Sequence, residues 1–202
     1  MDSVTVVIPV RDEGDRIGGI VTTLVAAYDV IVVDDGSSDD TVPIASTAGA
    51  TVIEHDTPRG WAASLRTGFE HASGDIVVTF EATGEYDPGD IERVLEPIEN
   101  GDADVVFGSR AQIPRFSEHV LNRVVCRRLD VPDASSELRA IRASLLEDIE
   151  VGPKCGCGVI ALEAAAQGAV IESVPVSFRT DTGPQDLAWH HLGQLVGVLR
   201  RL

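Results

Sequence analysis

Lysine is almost absent from this chain. Of 16 basic residues only Lys154 is lysine and the rest are arginine, against 33 aspartates and glutamates. The resulting net charge of −17 sets up a field that repels polyanions, which argues against nucleic acid as a general partner. A lysine-poor acidic surface also suits a protein kept at high ionic strength, where salt screens the self-repulsion; a halophilic source is expected. Cysteine is scarce too. Cys126, Cys155 and Cys157 make an odd number, and the C-x-C pair has no second Cys or His pair at finger spacing, so small buried thiols are expected rather than a zinc site. No basic, cleavable apolar leader precedes VTVVIPV, and no apolar run is long enough to span a bilayer. The expected location is cytoplasmic.

Two phosphate-binding signatures are missing as well. The first strand–helix turn, PVRDEGDRIGG, holds no G-x-G-x-x-G, and no G-x-x-x-x-G-K-[ST] occurs anywhere. That argues against a dinucleotide site and excludes a P-loop.

What is present is a regular alternation. Apolar runs at 4–10, 30–35, 50–55, 75–80 and 103–110 read as strands, and helical spacing fills the segments between them, including 15–28 and 60–74. Strands apolar on both faces and separated by helices predict a mostly parallel α/β sheet covered on both sides. Past Arg110 the pattern predicts a helix over 116–129, a loop ASSELRAIR leading into a short strand, one or two helical turns in ASLLEDI, an alanine-rich helix ending on Gly168, a strand over 169–179 and an amphipathic helix over 186–202. With no repeat and no low-complexity linker, residues 1–202 read as one domain whose pattern changes past Arg110, dividing it into 1–110 and 111–202.

In such sheets the loops at the carboxyl ends of strands line the ligand crevice. Here those loops are PVRDEG, DDGSSDD, HDTPRG and FEATGEYDP, and they offer carboxylates. Carboxylates accept hydrogen bonds from a base or ribose, and they hold divalent cations that meet phosphates. An acid-lined crevice with few arginines therefore suggests a nucleotide whose diphosphate is neutralised through a metal.

IPVRDEGDRI, VIVVDDGSSDDT, PRGWAASLRTGFEHASGDIVV, YDPGDI and ADVVFGSR, in this order, resemble the family 2 glycosyltransferases, and within them the dolichyl- or polyprenyl-phosphate sugar transferases. The resemblance runs from about Val4 to Arg110 and continues more weakly through SSELRAIR and VIESVPVSFR. It implies the GT-A fold, a UDP- or GDP-sugar donor, Mg²⁺ or Mn²⁺, inversion at the anomeric carbon, and a lipid-phosphate acceptor met at the inner face of the cell membrane. It places Pro9 and Glu13 on the nucleoside, Asp34 or Asp35 on the base or ribose, and Arg59 near the nucleotide. Arg110, Arg139 and Arg179 would face the donor or acceptor phosphates.

The metal motif departs from the family pattern. Relatives end the fourth strand in Asp-x-Asp; this chain has Glu81 and Thr83 there, with Glu85 as the one new carboxylate able to compensate. A lysine that relatives place after the last strand is replaced by TGPQDL, and a glutamate they often carry near the start of the alanine-rich helix is missing. The expected activity is an inverting glycosyltransferase; the alternative is a weakened or inactive relative that binds nucleotide sugars or acts as a scaffold. Other readings stay open at single residues. Asp34 and Asp35 also suit strand-end acids that cap the next helix, and the three arginines suit ion pairs within an acidic shell. His190 and His191 read as surface residues, Trp61 and Trp189 as packing. The 186–202 helix fits docking on the domain, or an interfacial helix at a membrane.

Overall fold

Valine and isoleucine carry the strands, and each strand splits its side chains between two faces. On β1 (Val4–Val10) the side chains of Val6 and Ile8 enter one core layer and Val7 the other. The computed structural model describes residues 2–113, 116–129, 131–149 and 158–179. The expected 186–202 helix, Trp189, His190, His191, Cys155 and Cys157 lie outside them. Elements follow in the order β1, α1 (Gly14–Leu24), β2 (Asp29–Asp34), α2 (Thr41–Thr47), β3 (Thr51–Glu54), α3 (Trp61–His71), β4 (Ile76–Thr79), α4 (Asp90–Glu99), β5 (Val105–Ser109), α5 (Phe116–Leu129), β6 (Arg139–Arg142), a 3-10 helix (Ala143–Asp148), α6 (Val159–Ala166) and β7 (Ile171–Pro175).

These strands form a seven-stranded sheet in the order β3-β2-β1-β4-β6-β5-β7. All pairings are parallel except those of β6, which runs antiparallel to both β4 and β5. Helices cover both faces. Ile17, Val21 and Leu24 of α1, Ala45 of α2 and Ile91, Val94, Leu95 and Ile98 of α4 pack on one side. Residues of α3, α5 and α6 pack on the other, among them Leu65, Val125 and Ile160. Burying each valine, leucine or isoleucine side chain contributes about 1.5–3 kcal/mol. The spacing 91-94-95-98 is the helical apolar stripe that the sequence displays. Helix α3 sits so close to β1 that a Cβ on Gly68 would lie 2.2 Å from Val7 Cγ1; only glycine permits that approach. Among the described residues, no helix is long and apolar enough to cross a membrane.

The sheet opens at one place. Pairing of β1 with β4 stops at Val7↔Thr79, one backbone bond beyond being Phe80 N–H to Val7 O, whereas pairing of β1 with β2 continues to Val10↔Asp34. Pro9 lies in this overhang. It has no N–H to give a ladder, and none is needed on the side β4 has left. The parting of β1 from β4 creates a crevice at the carboxyl ends of the strands.

Candidate functional site

The crevice wall on the β1–β2–β3 side is a set of loops hydrogen-bonded to one another. Asp12, the only described non-glycine residue with positive φ (54°), donates its N–H to Ser37 Oγ at 2.8 Å and accepts from Ser38 N–H at 2.7 Å. Aspartate is among the non-glycine residues that tolerate a left-handed backbone, and these two bonds to the neighbouring loop hold it there. Glu13 N–H donates to Thr41 Oγ1 and Gly14 N–H to Asp39 Oδ2. The Glu13 side chain is part-exposed and pairs with Arg16 at 3.0 Å.

Asp34 and Asp35 are both turned into the protein. Asp34 Oδ2 accepts the Gly36 and Ser37 N–H groups at 3.1 and 2.9 Å, and Oδ1 accepts the Ser37 hydroxyl. Its carboxylate builds the turn at the end of β2. Asp35 accepts the N–H groups of Arg59 (2.7 Å) and Gly60 (2.8 Å) and lies 2.9 Å from His55 Nδ1. With Asp35 ionised, His55 Nδ1 donates to it, and Nε2 lies 3.0 Å from Thr67 Oγ1. Burial raises the Asp35 carboxyl, but the Arg59, His55 and Gly60 bonds outweigh it and hold the group below its ordinary value. Asp35 thereby ties the end of β2 to β3 and to the start of α3. The Arg59 side chain is exposed at the rim.

The opposite wall is the loop after β4. Phe80, Ala82 and Tyr86 are buried, which leaves Glu81 at the crevice floor with part of its surface open. The Glu81 carboxyl is pushed up to about 8, first by burial, then by the charges of Glu137 and Glu85, with Arg139 and Arg110 offsetting part of the rise. Thr83 donates its hydroxyl to Glu85 at 3.3 Å. Gly84 (φ +80°) makes the turn between them, a conformation that favours glycine. Tyr86 then anchors the loop. Its hydroxyl oxygen accepts the Glu137 N–H at 3.2 Å and lies 3.1 Å from Ser136 Oγ, and its ring packs edge-on against Phe178 at 5.0 Å.

The three sequence-selected arginines occupy different settings. Arg110, at the end of β5, is buried and forked onto Asp133: Nε to Oδ2 at 2.8 Å and Nη2 to Oδ1 at 3.2 Å, with Nη2 also reaching Ser135 Oγ at 2.9 Å. Its guanidinium lies 5.4 Å from the Phe178 ring centroid. Arg139, first residue of β6, is fully buried, ion-paired to Glu137 and stacked 5.8 Å from the centroids of both Trp61 and Phe107. Arg179 is exposed and donates its backbone N–H to Glu85 O at 2.8 Å, which sets it beside the metal-motif loop.

The crevice floor thus brings Glu81, Glu85, Arg110 and Arg139 into one electrostatic neighbourhood, with Thr83 on the same loop as the two glutamates and Arg179 bonded to that loop through its backbone. Glu13 and Arg59 stand at the rim, whereas Pro9, Asp34 and Asp35 belong to the scaffold. Sequence reasoning missed Glu137, Asp133 and His55. A signal existed for the first: in extended chain, residues two apart share a face, and Glu137 precedes Arg139 by two.

Among the described residues, no three His, Cys, Asp or Glu side chains converge as a preformed metal cluster. The donors available to a cation are Glu81, Glu85 and the Thr83 hydroxyl. This set is all oxygen, and its crowded carboxylates gain from added positive charge, so it fits a hard divalent ion that completes its shell with a ligand's oxygens. Cys126 is half-buried, with its thiol raised to about 11 by burial, consistent with a structural thiol.

Comparison with known proteins agrees with this architecture. The family model described as Glycosyl transferase family 2 matches residues 5–149. An uncharacterized glycosyltransferase of Mycobacterium tuberculosis is 29% identical over 210 residues, covering 98% of this chain and 95% of that protein. The dolichol-phosphate mannosyltransferase of Pyrococcus furiosus is 27% identical over 173 residues, covering 74% of this chain and 50% of that protein. Glucosyl-3-phosphoglycerate synthase from M. tuberculosis, solved with Mn²⁺, uridine diphosphate and glucosyl-3-phosphoglycerate, superposes with a TM-score of 0.79 over 99% of this chain and 80% of that one, at 20% identity. The shared fold is GT-A.

Proposed function

Because the chain belongs to glycosyl transferase family 2, we propose that it transfers a sugar from a UDP- or GDP-linked donor, with inversion, to a polyprenyl phosphate. One observation carries the reading: Glu81 stands on the floor of the crevice between β1 and β4, among like charges that a cation would offset. Glu81 and Glu85 would hold Mg²⁺ or Mn²⁺ with help from Thr83. When bound, such an ion supplies positive charge against that developing on the departing diphosphate. Arg179 and Arg59 add cationic charge at the rim. Glu13 and the Asp12–Ser38 turn shape the nucleoside side, and Asp34 and Asp35 keep that wall rigid.

A phosphate acceptor is already an anion and needs no strong general base, so orientation and leaving-group stabilisation carry the reaction. The lipid acceptor draws support from relatives such as the P. furiosus enzyme. A peripheral position at the inner face of the membrane would follow from that acceptor.

A second reading, a nucleotide-sugar-binding relative with little or no turnover, is favoured by Thr83 in the second metal position. Calorimetric titration of UDP and GDP, with and without Mn²⁺, on wild type and Glu81→Ala separates the two. Binding that tightens with Mn²⁺ and loses this gain in the variant supports the enzyme. Binding indifferent to Mn²⁺ supports the second reading.

A further inference from the structure

Among the described residues, three buried side-chain donors have no hydrogen-bond partner: Trp61 Nε1, Arg139 Nε and Arg139 Nη1. Unsatisfied buried donors are costly and call for an explanation. These three belong to stacked neighbours, the guanidinium lying 5.8 Å from the Trp61 ring centroid, and Arg139 is one of the charges acting on Glu81 at the crevice floor. The remaining guanidinium nitrogen, Nη2, is taken by Glu137.

We infer that the Trp61–Arg139–Glu137 group is the subsite for the transferred sugar, its N–H donors taking sugar hydroxyl oxygens and Glu137 accepting a sugar hydroxyl in return. The inference rests on the function proposed above and adds to it the part of the donor these residues read. Charge decides between a sugar and a second phosphate. Glu137 already neutralises Arg139, so a second anion finds no spare positive charge there, whereas a neutral polyol needs none. Hydroxyls also match the mixed set of donors and acceptor, since each both gives and accepts a hydrogen bond. Trp61 is part-exposed and stacked on buried Arg139, so a sugar bonded to these donors changes the indole environment.

The test compares UDP-glucose, UDP-N-acetylglucosamine and GDP-mannose with their free nucleoside diphosphates, by calorimetry in Mn²⁺. Trp61→Phe keeps the ring and deletes the N–H. It is expected to leave UDP and GDP affinity unchanged while weakening the preferred sugar nucleotide roughly 3- to 10-fold, the value of one lost hydrogen bond. Arg139→Lys, which keeps the charge and loses the fork, should weaken it by about tenfold or more. In a Trp189→Phe background, Trp61 emission should shift with that sugar nucleotide and not with the bare diphosphate; this readout needs no change at the site.

Equal loss for diphosphate and sugar nucleotide would assign the donors to phosphate and overturn the inference. So would unchanged affinity for both, or wild-type protein that binds every sugar nucleotide no better than its diphosphate, or silent Trp61 emission. Wild-type protein that binds no nucleotide at all refutes the proposed function itself, and this inference with it.

Discussion

Replacing Glu81 by glutamine should make the ligand-free protein more stable at neutral and alkaline pH. The carboxyl is raised from 4.5 to about 8, so its stabilising contribution is fully present below its ordinary value and is lost as pH rises through the folded one. At about 1.4 kcal/mol per unit, the ionised form costs up to about 5 kcal/mol. Proton uptake relieves part of this, leaving about 4 kcal/mol near pH 7.5 and below about 1 kcal/mol near pH 5. Water reaches part of the side chain, which lowers the expected gain to about 2–4 kcal/mol at the higher pH. Glutamine has the same shape and no charge, so it removes the penalty.

Thermal unfolding should show a melting temperature higher by at least about 4 °C near pH 7.5, at ~2–4 °C per kcal/mol for a chain of this length, and nearly equal values near pH 5. Adding Mn²⁺ with UDP should reverse the order by stabilising wild type alone. Superimposable unfolding curves at both pH values, or a glutamine variant weaker at the higher one, would refute the claim that like charge and burial strain this site.

Three further substitutions test the scaffold. Asp133→Ala removes the carboxylate forked onto buried Arg110 and should cost about 3–5 kcal/mol in urea unfolding; replacing both residues by apolar ones of similar size should cost less. Asp35→Asn should lose about 1–3 kcal/mol near pH 7, since an amide cannot accept both the Arg59 and Gly60 N–H groups and the His55 N–H. Because the Asp35 carboxyl is held below 3.8, that difference is present above this value and should shrink as acid titrates wild type, which denaturation near pH 3 would reveal. Gly68→Ala forces a Cβ into Val7 and should destabilise by about 1–3 kcal/mol despite its better helix propensity; Val7→Ala in the same chain should recover part of the loss.

The fold was legible where the signal was local. Unbroken valine and isoleucine runs marked β1 and β2, and the 91-94-95-98 stripe marked α4, because strand and helix periods are written in neighbouring residues. The reversed course of β6 and its insertion between β4 and β5 were not legible. That placement depends on pairings such as Val77↔Ile141 and Val105↔Ile141, between residues far apart in the chain. The site divides the same way. Composition and loop position singled out Glu81, but nothing in DDGSSDD says that Asp34 folds back on Gly36 and Ser37, or that Asp35 reaches forward to Arg59 and Gly60. Likewise the partner of Arg110 lies 23 residues downstream, in a loop with no repeating pattern to announce it.

The reversed strand has a consequence for how specificity can change. A parallel strand presents only the loop that follows it to the crevice, whereas β6 presents the segment that leads into it. Ser135, Ser136 and Glu137 therefore arrive beside the loop after β4, the two serines buried and Ser136 and Glu137 held on Tyr86. Substitutions in that leading segment can retune one half of the cleft while the other keeps its geometry.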